Sequence, residues 1–110
     1  MSDTKRKLAA IVFTDIAGFT KLSSNNEPAA LALLEKQREL LQPVVEKNNG
    51  EWLKEIGDGL LLAFGTTRDA VDCAIEIQHL TKEIESLDLR IGIHQGEVVF
   101  QGNDVVGDDV

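Results

Sequence analysis

Short apolar runs alternate along the chain with longer segments in which apolar residues recur every three or four positions. Leu8-Ala9-Ala10-Ile11-Val12-Phe13 is continuous and apolar, the pattern of a central strand. Ser23-Ser24-Asn25-Asn26 is loop and cap chemistry, and it predicts a helix from about Glu27 with Pro28 in its first turn. Leu31, Leu34, Leu41 and Val45 share one side of that helix. Pro43 is expected to kink or split it, and Asn48-Asn49-Gly50 to end it with residues that accept a left-handed conformation. Glu51 to Ile56 and Leu60 to Phe64 read as two strands joined by a tight turn at Gly57-Asp58 or Asp58-Gly59. Thr66 is placed to cap a second helix, with Asp69 three residues on. Ala70, Cys73, Ile77, Leu80, Ile84 and Leu87 mark the apolar stripe of that helix. Leu89 to His94 alternates as a fourth strand, which Val98 and Val99 can continue. Met1 to Lys7 is polar and reads as a lead or linker stub, so the folded unit is expected over residues 8–110.

This order, β-α-β-β-α-β, predicts a ferredoxin-like α+β fold with one antiparallel sheet and helices on one face. The helical crossover between the first and second strands makes those two run in the same direction. Their C-terminal ends then lie at one edge of the sheet. Asp15 follows the first strand and Asp58 follows the second, so topology alone brings together two acids far apart in sequence.

Composition narrows the classes of function. At 110 residues the chain is one domain, long enough to bury roughly two-thirds of its unfolded surface. The 43% hydrophobic content supports a globular fold. A net charge of −8 argues against nucleic acid as a partner, which calls for a basic face. A single cysteine, Cys73, excludes an intrachain disulfide, sits in a helical pattern as a core residue, and fits a reducing compartment. No signal peptide opens the chain, and no run approaches the ~20 apolar residues of a membrane span. The expectation is a soluble cytoplasmic protein with no membrane contact from this segment.

The chemistry follows from the acids. Two nearby carboxylates repel each other unless a cation lies between them. Magnesium favours one or two carboxylates completed by waters and substrate phosphates. The glycine turn after Asp15 adds backbone N–H groups able to face phosphate oxygens. Alone, Asp58 could simply shape a hairpin turn and Asp15 cap something local; paired at one edge, they predict a metal site for phosphate chemistry. His79 lies near the apolar stripe of the second helix and His94 on the fourth strand, and neither has a visible partner.

Four ordered segments resemble the class III nucleotidyl cyclases, the adenylate and guanylate cyclase catalytic domains. They are Phe13-Thr14-Asp15-Ile16-Ala17-Gly18-Phe19-Thr20, Leu53-Lys54-Glu55-Ile56-Gly57-Asp58-Gly59, Leu89-Arg90-Ile91-Gly92-Ile93-His94-Gln95-Gly96-Glu97-Val98 and Asp104-Val105-Val106-Gly107-Asp108-Asp109-Val110. The resemblance implies that Asp15 and Asp58 hold two Mg²⁺ (or Mn²⁺) ions, helped by the Ile16 carbonyl. It implies that backbone groups of Ala17, Gly18, Phe19 and Thr20 contact a triphosphate. It places Lys54 at a purine-selecting position and Asp104 at its partner position. Lysine suits adenine, since an ammonium can donate to ring N1, where guanine carries an N–H. The reaction implied is ATP to cyclic AMP and pyrophosphate, in a head-to-tail homodimer whose sites draw on both subunits.

The chain also departs from that pattern. The asparagine and arginine that the family carries next would follow Val110, and the segment from Val99 to Asp104 is short. Losing a group that stabilises developing charge can cost on the order of 10²–10³ in rate. The expectation is therefore a truncated core with little activity alone. A non-catalytic module that binds nucleotide or pairs with a partner is the alternative.

Overall fold

The computed structural model describes the backbone of residues 4–101 and 104–106 and the side chains of residues 7–100. Five strands and three helices follow in the order β1 (Thr4–Ile16), α1 (Phe19–Asn25), α2 (Glu27–Lys47), β2 (Gly50–Ile56), β3 (Gly59–Phe64), α3 (Thr67–Thr81), β4 (Leu89–Gln101) and β5 (Asp104–Val106). The strands form one sheet in the order β2-β3-β1-β4-β5, with every neighbouring pair antiparallel. The expected ferredoxin-like α+β arrangement is present, with β5 added outside β4. β1 and β2 each pair antiparallel with β3, so they run in the same direction.

β1 is central and its alternation divides the protein. Ala10, Val12 and Ile16 point into a core shared with Leu33, Leu41, Val44 and Val45 of α2 and Ala70, Cys73 and Ile77 of α3. Ala9 and Ile11 point the other way, into a cluster made of strand residues, among them Leu53, Leu61, Ala63, Val98 and Phe100. The described helices all pack on the first face. Burial pushes the Cys73 thiol up to about 11, with the nearby Glu76 charge a smaller cause, as befits a core residue rather than a reactive one.

Local chemistry sets the helix starts. The Asn26 side chain accepts from the Ala29 N–H at 3.2 Å and caps α2, with Pro28 in the first turn. Thr66 accepts from the Asp69 N–H at 3.1 Å and caps α3. Asn49, at φ 63, takes the left-handed conformation after α2.

Several details differ from the sequence reading. The polar lead-in contributes to β1, because Thr4 to Lys7 pair with Val98 to Gln101 of the long β4. α1 occupies part of the segment expected to be a loop. α2 runs unbroken through Pro43, since Leu41, Val44 and Val45 on either side of it are buried and hold the helix to the sheet. Leu31 is 58% exposed, and the buried stripe runs instead through Ala30, Leu33, Gln37 and Leu41. α3 ends at Thr81, short of the expected Leu87; Leu80 is 40% exposed, while Leu87 is buried in the connection to β4.

These positions predict unequal sensitivities. Leu41→Ala should lower stability by about 2–5 kcal/mol through lost transfer energy and a cavity. Leu31→Ser should stay within about 0.5 kcal/mol. Urea unfolding of the two variants checks the assignment of the stripe.

Candidate active site

The carboxylates meet at one end of the sheet. By the alternation of β1, Asp15 lies on the face away from the helices, directly across from Arg90 of β4. Arg90 Nε donates to Asp15 Oδ1 at 2.6 Å. Asp58 reaches the same point from the β2–β3 hairpin, and its Oδ2 accepts from the Ile16 backbone N–H at 2.7 Å. The carboxylate of one expected ligand is thus bonded to the residue next to the other. The Asp15 hydrogen bond, and then its charge, hold the Arg90 guanidinium above its usual range, and the Asp58 charge adds to this.

The turn that delivers Asp58 is Gly57-Asp58, because Ile56 and Gly59 pair across it. Gly57 sits at φ 60, the conformation that favours glycine at the first position of a two-residue hairpin. Gly59 is needed for a different reason. A Cβ there would lie 2.9 Å from the Thr14 carbonyl oxygen, so β3 starts in close contact with β1 just before Asp15.

After Ile16 the chain turns through Gly18, at φ 77, into α1. Ala17 N–H donates to the Asp88 carbonyl at 2.8 Å, so that donor is already engaged. Gly18, Phe19 and Thr20 hold the cap and first positions of α1, where helix geometry leaves N–H groups without an intrahelical acceptor. The Phe19 ring packs against the helix-side core and anchors the turn.

Lys54 owes its direction to an irregularity in β2. Trp52 pairs with Leu62, but Lys54 pairs with Leu61, so a bulge at Leu53 shifts the register. Cross-strand partners share a face. The bulge therefore turns Lys54 to the side of Leu61 and Asp15, and Glu55, opposite Leu60, toward α2. There Glu55 meets Arg38, whose Nε and one terminal nitrogen donate to its two oxygens at 2.7 and 2.8 Å. Asp104 is placed differently. It pairs with Gln101, which faces Thr4, so its backbone lies at the far end of the β1–β4 ladder from Asp15; its side chain lies outside the described residues. One copy of the chain gathers Asp15, Ile16, Asp58 and the turn after them at one edge, without Asp104.

Sequence reasoning missed Arg90, Gln37 and the Arg38–Glu55 pair. An arginine between two leucine or isoleucine residues in a strand was a usable signal for Arg90, since alternation puts it on the face opposite Leu89 and Ile91. The bulge had no such signal. Among the described residues no group of three or more His, Cys, Asp or Glu side chains is arranged to hold a metal ion. The donors present fit a magnesium-type site all the same: two carboxylates, each with one oxygen outside the bonds above, and the Ile16 carbonyl beside them.

Residues 2–109 match the family model described as the Adenylate and Guanylate cyclase catalytic domain, and the chain belongs to that family. It is 32% identical over 114 residues to putative adenylate cyclase 3 of Rhizobium meliloti (strain 1021), covering 96% of this chain and 19% of that protein. The crystal structure of an adenylate/guanylate cyclase/hydrolase from Silicibacter pomeroyi superposes with a TM-score of 0.86 at 34% identity, over 96% of this chain and 66% of that one. The catalytic core of a rhodopsin-guanylyl cyclase with converted specificity, in complex with ATPαS, gives 0.88 at 27% identity, over 96% of this chain and 69% of that one. The chain thus spans about a fifth of the curated relative and about two thirds of the solved domains. Among the described residues no helix is long and apolar enough to cross a membrane.

The Arg38–Glu55 pair gives the stability of the fold a pH dependence. The Arg38 hydrogen bonds, then partial burial in opposition, then the Arg38 charge leave the Glu55 carboxyl below its ordinary value of 4.5. A depressed carboxylate stabilises the fold above its unfolded pKa and ceases to do so as pH falls through the folded one. Arg38→Met should lower the urea midpoint at pH 7, and the difference from wild type should shrink as pH falls below 4.5 and through the depressed folded value. Paired unfolding curves across a series of pH values check this.

Proposed function

We propose that this domain converts ATP to cyclic AMP and pyrophosphate. The observation that carries the reading is the meeting of Asp15 and Asp58 at one sheet edge, with the Asp58 carboxylate on the Ile16 N–H. Asp15, Asp58 and the Ile16 carbonyl would hold two Mg²⁺ or Mn²⁺ ions. When bound, such ions lower the pKa of an attacking hydroxyl and neutralise phosphate charge.

Further roles fall to groups of this chain. Gly18, Phe19 and Thr20 supply backbone donors to the triphosphate at a turn that leaves the carboxylates directly. Arg90, on the same face as Asp15 and bonded to it, would supply a cation to phosphate oxygens. Lys54 reads the purine: its ammonium donates to adenine N1 and would meet a donor in guanine. Asp104 accepts from the adenine amino group. Since the register puts Asp104 at the far end of the ladder from Asp15, a complete site calls for a second copy of the domain, arranged head to tail. A related rhodopsin-guanylyl cyclase core has converted specificity and is in complex with ATPαS, so base choice can change on this fold.

The same register favours one other reading, a non-catalytic module that binds nucleotide or dimerises without turnover. Formation of cyclic AMP above background, even at the low rate expected of this core alone, separates the two. Binding tests what they share. In calorimetry with ATP and Mn²⁺, Asp15→Ala should lose metal-dependent binding. Lys54→Glu should weaken ATP binding by roughly 10- to 100-fold, the cost of an unpaired polar contact, and improve GTP binding. Unchanged ATP binding in both variants would refute the assignment.

A further inference from the structure

We propose that Gln37, a residue of the helix-side core, is a positioning residue for Asp58. This rests on reading Asp15 and Asp58 as the metal site. Gln37 sits in the buried stripe of α2 between Leu33 and Leu41 and is 2% exposed, where a leucine would pack without a polar group. Its Nε2 lies 3.5 Å from the backbone carbonyl of Asp58, within reach of donating to it, and its Oε1 has no partner. The interior beneath the carboxylates holds a second such group. Thr14, one residue before Asp15 and on the helix side of β1, is 5% exposed, and its hydroxyl also lacks a partner.

The turn explains what a buried amide does there. Gly57-Asp58 is only two residues long, and the Asp58 carbonyl and side chain branch from one Cα, so contacts to both together fix how that Cα sits in the turn. The side chain is held from β1 by the Ile16 N–H at 2.7 Å. The carbonyl lies within donating reach of Gln37 Nε2 from α2. The next residue of α2, Arg38, grips β2 through both oxygens of Glu55. Consecutive residues of one helix thus brace both the strand and the turn that carry Asp58. At 3.5 Å the Gln37 contact is longer than the usual 2.9–3.0 Å and has room to shorten when a cation draws on the carboxylate.

The test is direct Mn²⁺ binding to the purified chain, read from the free-Mn²⁺ electron paramagnetic resonance signal with and without ATP, beside thermal melting. Gln37→Leu should melt at or above the wild-type temperature, because an apolar side chain of similar size replaces an incompletely paired amide. It should bind Mn²⁺ about tenfold more weakly, as loss of a partner behind a ligand does. Gln37→Met, which keeps the length of the side chain, should do the same and serves if the leucine variant fails to fold. A folded Gln37 variant with wild-type Mn²⁺ affinity, while Asp58→Asn loses it, overturns the positioning role and leaves the metal site standing. Wild-type affinity in Asp58→Asn overturns the metal-site reading and this proposal with it.

Discussion

β1 is hydrogen-bonded along both sides, to β3 and to β4, and the other parts of the structure are arranged around that fact. A strand paired on both sides leaves its side chains two directions only. Ala10, Val12 and Ile16 take the helix side, and Ala9, Ile11 and Phe13 the other. A slip of one residue would exchange the two sets. It would push Asp15 toward the core under the helices and lift Ile16, now 2% exposed, out of it. Apolar packing against α2 and α3 thus fixes which face the carboxylate occupies. The acid is aimed by residues that take no part in its chemistry.

Regular periodicity carried much of this into the sequence. The apolar run before Asp15 identified the central strand, and the order of elements placed Asp15 and Asp58 at one edge. Gly57-Asp58-Gly59 announced a turn, though the pairing of Ile56 with Gly59 was needed to choose its residues. What stayed hidden had physical reasons. α1 is 7 residues long, too short to show a period. Leu31 and Leu33 are equally apolar, and only the contact with the sheet distinguishes them. Asp104 matched a motif in order, while the short connection from β4 to β5 puts it at the other end of the ladder from Asp15. The direction of Lys54 depends on one unpaired residue at Leu53, and a bulge leaves no trace in a pattern of period two.

That bulge has two consequences that cannot be separated. With regular pairing, Lys54 would share the face of Trp52 and lie under α2, and Glu55 would point away from Arg38. The shifted register sends the lysine to the carboxylate face and the glutamate to the helix in one step. An exposed ion pair adds little to stability. Its value here is geometric, since Arg38 and Glu55 can meet only when the bulge is present.

The two acids are held in unlike ways. Asp58 is oriented by a main-chain N–H of the central strand, a donor that cannot move without breaking the sheet. Asp15 is bonded to a side chain that is itself 72% exposed. Arg90 supplies the positive charge that two neighbouring carboxylates require, but water competes for it, so its hold on Asp15 is cheap to give up. One acid is therefore fixed by the sheet, while the other can exchange partners.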